Sequence, residues 1–227
     1  MSSTASSRTF VSALLLALAG CATGPADDFR HGLDQWHIEA EKPGRITAAK
    51  GVLDIDVPAG VTLWFKPRLE GPVRIEFEAT AVAAGGPNDR VSDLNVFWMA
   101  NNVDDQQPVF AHRRSGAFAE YNDLRTYYVG LGGNRNTTTR FRRYIGDPVN
   151  RPMLPEHDLS RAEAMLVANR RQTITLIADG SRIEYLRDGE RLFLLEDAVP
   201  YVNGWFALRT TASHLRIRRL YVKNPRK

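Results

Sequence analysis

Cysteine is almost absent from this chain. Cys21 is the only one in 227 residues, so no internal disulfide can staple the fold. Long apolar runs are absent too. The best, Phe10 to Ala19, spans ten residues, whereas a membrane-spanning helix needs about 20. Helix signals are scarce: Ser160 and Glu163 form a capping box ahead of Ala164-Met165-Leu166-Val167, which predicts one short loop helix. None of the five histidines has the spacing of a zinc site. The closely spaced E-x-D-x-E pattern of a sandwich glycosidase family does not occur. No metal or other cofactor is expected; a structural calcium suits such folds, but its ligands have no place in the pattern.

The N-terminus reads as an export signal. A short polar stretch with one arginine, Arg8, precedes the apolar run, which ends at Leu18-Ala19-Gly20-Cys21. This cleavage region resembles the lipobox of bacterial lipoproteins, which implies cleavage before Cys21 and lipid on its sulfur. An ordinary signal peptide with an incidental cysteine is the alternative. Ala22, in place of an aspartate, favours the outer membrane over the inner. The expected organisation is a signal peptide over 1–20, a lipidated tether over 21–28 and one domain over 29–227, held at the bacterial cell envelope.

What the remainder has is strands. β-Branched and aromatic residues alternate with polar ones between Gly, Pro and Asn. The pattern predicts strands at Trp36–Glu41, Arg45–Ala49, Val52–Val57, Val61–Lys66, Val73–Val82, Leu94–Ala100, Arg125–Leu131, Thr137–Tyr144, Gln172–Ala178, Arg182–Arg187, Glu190–Leu195, Gly204–Thr210 and His214–Val222, with a hairpin turn at Asp188-Gly189. Many short strands and little helix indicate an all-β, two-sheet antiparallel sandwich. Two long loops, about 101–122 and 146–171, flank the central strands and are placed to wall a cleft.

Side chains alternate faces along a strand. That parity sends Leu94, Val96, Trp98, Tyr127, Val129, Leu131, Phe141, Phe206 and Leu208 into the core. It collects Asp93, Asn95, Tyr128, Arg140, Arg142, Tyr144, Trp205 and Arg209 on the outer face, with Gly130 keeping the floor low. Gly132-Gly133-Asn134 is a turn between two strands, and Asn134 and Asn136 sit beside it. Lysine plus arginine exceeds aspartate plus glutamate, 30 against 26. The arginines cluster at Arg135, Arg140, Arg142 and Arg143 and at Arg209, Arg216, Arg218 and Arg219. Nucleic acid does not suit an exported lipoprotein. An acidic glycan does: arginine forks pair with carboxylates and aromatic planes stack on sugar rings.

Three blocks carry a further resemblance. They are Asp89-Arg90-Val91-Ser92-Asp93-Leu94-Asn95-Val96-Phe97-Trp98, the segment from Tyr127 to Tyr144, and Pro200-Tyr201 with Gly204-Trp205-Phe206, Arg209-Thr210 and Ser213-His214. Together they resemble a bacterial domain family of unknown function related to YesU-like proteins, from about Phe29 to Val222. The resemblance implies a concanavalin A-like (galectin-like) jelly roll and an association with rhamnogalacturonan or pectin degradation. It transfers no catalytic residue.

Three functions compete. β-Elimination needs a cation or amide on the sugar carboxylate, a base for the C5 proton and an acid for the leaving oxygen. Tyr128, Tyr144, His157, His214 and Arg142 are candidates for that chemistry. Asp93, Asn95, Asn134, Asn136, Arg140, Trp205 and Arg209 are candidates for substrate binding. Hydrolysis needs two facing carboxylates; Asp93, Glu120, Asp123, Glu156 and Asp158 are available, none as a paired motif. A non-catalytic glycan-binding lipoprotein would use the same face. A lyase-type enzyme on acidic, rhamnogalacturonan-like saccharides fits the residue types best.

Overall fold

A computed structural model describes residues 24–104 and 106–226; Cys21 and the apolar run before it lie outside them. Among the described residues the strands are β1 (Ala26–Asp27), β2 (Trp36–Ala40), β3 (Arg45–Ala49), β4 (Val52–Glu70), β5 (Val73–Ala81), β6 (Leu94–Asn101), β7 (Arg125–Gly132), β8 (Thr138–Ile145), β9 (Asp158–Leu159), β10 (Arg171–Asp179), β11 (Arg182–Arg187), β12 (Glu190–Glu196) and β13 (Asn203–Lys223). The strands pair antiparallel throughout. This is the all-β architecture the alternation predicts. The Asp188-Gly189 hairpin is also present: both residues have positive φ, 53° and 82°, as a type I′ turn requires.

Two long strands do what four short ones were expected to do. The first half of β4 pairs with β3 and the second half with β2, while both halves pair with β13. The Asn203–Thr210 part of β13 borders β6, and the part after Ser213 borders β5. One sheet therefore curls into two layers. The first runs β2-β4-β13-β6-β7-β8-β9 and the second β3-β4-β13-β5-β10-β11-β12. The bend in β13 is a bulge between Thr211 and Ser213, with Ala212 at φ 44°. An extra residue turns a strand without ending its ladder. The breaks predicted near residues 58–60 and 211–213 are thus bends inside continuous strands.

The main core lies between the layers. Leu63, Phe65, Phe206, Leu208, Val96, Trp98, Tyr127, Val129 and Phe141 come from one layer, and Ile55, Ile75, Phe77, Ile174, Leu176 and Ile217 from the other. Every inward residue named from strand parity is buried here, because a one-residue slip would expose the whole set. Ala26–Asp27, expected in the tether, pair with the Leu220–Tyr221 part of β13. The Asp27 carboxylate accepts the Trp36 indole N–H at 2.8 Å.

The predicted loop helix does not form. Only a single 3₁₀ turn exists there, at Ala162–Ala164, with no side-chain cap. Tertiary partners take the backbone groups a helix would use. Asn136 bonds both the N–H and the carbonyl of Leu166, at 2.8 and 2.9 Å, and Thr139 and Arg187 each donate 2.7 Å bonds to the carbonyls of Ala164 and Met165.

Candidate functional site

The outer face of the first layer is concave and has two parts. At one end the 101–122 loop folds back over the sheet. Phe110 stacks on His37 and meets Trp205 edge-on, Tyr121 packs on Trp64 and Phe97, and Phe118 packs on Tyr128. A second hydrophobic cluster results, and it buries Trp64, Phe97, Tyr144, Trp205 and Ala207. Trp205 is therefore not an open stacking platform. It is 4 % exposed, and its indole N–H donates to the Lys66 carbonyl.

At the other end the face stays open as a cleft of about 370 Å³. Its floor is a ladder row across four strands: Arg209 opposite Asn95, Asn95 opposite Gly130, Gly130 opposite Arg140. The next row places Phe97, Tyr128 and Arg142 side by side. Gly130 makes room for its neighbours, since a Cβ there would sit 2.7 Å from the Tyr128 hydroxyl and 3.2 Å from Asn95 Oδ1. Of the candidate site residues, Asp93, Asn95, Tyr128, Asn134, Arg140, Arg142, Tyr144 and Arg209 line the cleft. Glu41, Phe118, Arg151 and Thr211 line it as well. Thr211 continues the parity of Arg209 and was readable from sequence. Phe118 and Arg151 come from the two long loops, where no periodicity marks them.

The hairpin between β7 and β8 forms one wall. Asn134, Arg135 and Asn136 are all left-handed, with φ of 53°, 60° and 62°. Such backbone costs about 1 kcal/mol per residue, so side chains must hold it. Asn134 donates to Thr138 at 3.1 Å, and Asn136 is clamped to Leu166. Asn136 thus supports the wall from behind rather than lining the cleft.

Charge in the cleft is unbalanced. Arg140 is satisfied by a two-pronged pair with Asp158, at 2.8 and 3.1 Å. Arg142, Arg151 and Arg209 have no carboxylate at ion-pair distance among the described residues. Arg142 donates to the Arg151 carbonyl, Arg151 to Asn122 and Tyr144, and Arg209 to Thr62 and to the Gly116 carbonyl. Burial pushes the Arg209 guanidinium below its usual value. Burial also raises the Asp93 carboxyl, against hydrogen bonds from Ser92 and Asn95 and the attraction of Arg90 and Arg209. The Tyr128 phenol is held well above its usual value, first by burial and then by Tyr144 and Asp93; burial raises Tyr144 too. Both hydroxyls are proton donors at neutral pH.

Neither predicted catalytic histidine reaches this cleft. His157 is buried against Phe141 and Phe193, and its Nε2 meets the Leu194 carbonyl at 3.0 Å. His214 lies past the bend of β13, between Asp89 at 2.8 Å and Asp54 at 3.2 Å. The bulge just before it turns it into a carboxylate cluster. Among the described residues no group of three or more His, Cys, Asp and Glu could hold a metal ion.

The His214 cluster carries a pH prediction. Backbone N–H groups of Gly86 and Ala84, then His214, hold the Asp89 carboxyl down from 3.8 to about 2. A carboxyl depressed in the folded state stabilises above its unfolded pKa, and that stability disappears as pH falls through the folded value. Asp89→Asn is therefore expected to be less stable than the parent at neutral pH. Urea unfolding should show the gap closing between about pH 4 and about pH 2. A gap that stays constant across that window would refute the assignment.

Residues 55–220 match the model of a domain of unknown function, DUF6250. The chain belongs to the DUF6250 family. The matched span contains every cleft residue named above except Glu41, which lies before it. No curated protein matches the chain. Among solved structures, this DUF6250 chain is similar to a Bacillus subtilis protein of unknown function with a galectin-like fold. The TM-score is 0.65 at 14 % identity, covering 89 % of this chain and 97 % of that one. A carbohydrate-binding module, CBM66, from Bacillus subtilis gives 0.55 at 9 %, covering 85 % and 97 %. β-Agarase B from Zobellia galactanivorans gives 0.52 at 11 %, covering 88 % and 91 %. At these identities the likeness establishes the fold, a galectin-like jelly roll, for this DUF6250 member.

Proposed function

We propose that the cleft binds an acidic saccharide and cleaves it by β-elimination. The observation that carries this reading is the set of guanidiniums without carboxylate partners, Arg142, Arg151 and Arg209, converging over a glycine floor. A uronate carboxylate supplies the missing counter-charge and matches the guanidinium fork. Its neutralisation acidifies the neighbouring C5–H. Asp93, whose basicity burial increases, takes that proton. The C4–O bond breaks, a C4=C5 double bond forms, and the neutral Tyr128 hydroxyl delivers a proton to the departing oxygen. Tyr144 and Arg151, 3.4 Å apart, hold the wall beside it. Rhamnogalacturonan-like chains are the substrate class, and lipid on Cys21 tethers the domain to the bacterial envelope, at the outer membrane.

The mature protein should raise ultraviolet absorbance from unsaturated uronates when incubated with polygalacturonate or rhamnogalacturonan. Tyr128→Phe and Asp93→Asn are expected to lose about a hundredfold or more of that rate while still binding. Arg142→Ala should weaken binding by about tenfold or more. Reducing ends without unsaturation would mean hydrolysis instead. Binding with neither product would make the cleft a receptor. Cys21→Ala should move the protein from the membrane fraction to the soluble fraction.

A further inference from the structure

We infer that the cleft is a blind pocket for the terminal one or two residues of an acidic saccharide, entered from the β8 edge. This rests on the acidic-saccharide reading above and adds which part of the chain is held.

A glycan lying across the strands would follow one ladder row, Glu39–Thr62–Arg209–Asn95–Gly130–Arg140. The row is dammed beyond Arg209. Here the 101–122 loop crosses as a strap, and at Gly116 it rests on the end of β2 and on β4: a Cβ on Gly116 would lie 2.9 Å from the Ala40 Cα, and one on Gly60 would lie 2.9 Å from the Gly116 carbonyl oxygen. No sugar fits beneath backbone packed that closely. The Gly116 carbonyl accepts from Arg209 at 2.7 Å, and the Phe118 ring stands 5.0 Å from the same guanidinium. The strap is itself anchored, because the Tyr121 hydroxyl donates to buried Glu39 at 2.7 Å and Arg114 donates to the Val109 carbonyl at 2.7 Å. Along the strands, the second hydrophobic cluster fills one direction, and the β7–β8 hairpin at Gly133 and Asn134 walls the other.

The direction left for a chain runs over Arg140, which lines the cleft next to the sheet edge where β8 pairs with β9. Asn95 Oδ1 is buried in the floor without a hydrogen-bond partner, packed with the Tyr128 hydroxyl against Gly130. The volume, about 370 Å³, lies near the small end of the range of about 300–1,000 Å³ for ligand pockets.

The test is calorimetric titration of the unmodified mature protein with galacturonate oligomers of increasing length and with polygalacturonate of known chain length, in conditions where turnover is negligible. Affinity should rise about tenfold from monomer to dimer and change less than about twofold per residue after that. The polymer should bind one protein per chain, whatever its length. Affinity still climbing beyond the tetramer, or several proteins bound per chain, would overturn the blind pocket and leave acidic-saccharide binding standing. No binding at any length would overturn both.

Discussion

Arg209→Met is expected to lower affinity for an acidic oligosaccharide about a hundredfold while the protein stays folded. Arg209 is 4 % exposed. Its Nη1 donates to Thr62 at 2.8 Å and to Gly116 at 2.7 Å, and the guanidinium lies over the rings of Phe118 and Tyr121. Those contacts hold it rigid without an ion pair; Glu41 and Asp93 act on its charge only from a distance. Binding energy from such a group is large, because its geometry is already set before the ligand arrives. Methionine has similar length and no charge to leave stranded. The Gly116 carbonyl and Thr62 lose a donor, so a stability loss of about 1–3 kcal/mol is expected without loss of the fold. Lysine would restore the charge but not the fork, so Arg209→Lys should recover little binding. Calorimetry and a thermal melt on the same preparations decide the matter. Parent-like affinity in Arg209→Met would reduce Arg209 to a strut for the strap.

Glu39→Ala is expected to cost about 3 kcal/mol of stability, because it leaves two buried donors without an acceptor. Glu39 Oε2 accepts from the Trp64 indole at 2.9 Å and from the Tyr121 hydroxyl at 2.7 Å. Burial, then the Glu39 charge, raises the Tyr121 phenol above its usual value, so the proton stays on the tyrosine and the bond runs from Tyr121 to Glu39. In a domain of this size the loss corresponds to a melting temperature about 10 °C lower. The same bond ties the 101–122 loop to β2, so proteolysis should begin there in the variant, and affinity for uronate oligomers should fall with it. Glu39→Gln keeps an acceptor and should lose about half as much. A melting point within about 2 °C of the parent in Glu39→Ala would show the loop is held by packing alone.

Much of the site was legible because side-chain alternation along a strand is local. Asn95, Tyr128, Arg140, Arg142 and Arg209 share a face whichever strands they meet, and the ladder then sets them side by side. The inward set, from Leu94 to Phe206, follows from the same period. Trp205 has the right parity and the wrong environment, because a loop about ninety residues earlier in the chain covers it. His157 and His214 carry suitable chemistry, yet their surroundings come from Phe193, Asp54 and Asp89, none of which sequence spacing connects to them. The capping box at Ser160 lost to Asn136, Thr139 and Arg187, whose bonds to that backbone exist only in the folded chain.

Composition and periodicity alone determined an all-β chain without disulfides, its apolar core and a basic, aromatic outer face. The tertiary structure decided that β4 and β13 serve both layers, that half of that face is roofed over, and that the rest is a cleft closed on one side. The division has a physical cause. Residue period and residue type act over a few positions, whereas the path of a long loop depends on what distant strands offer it to bury.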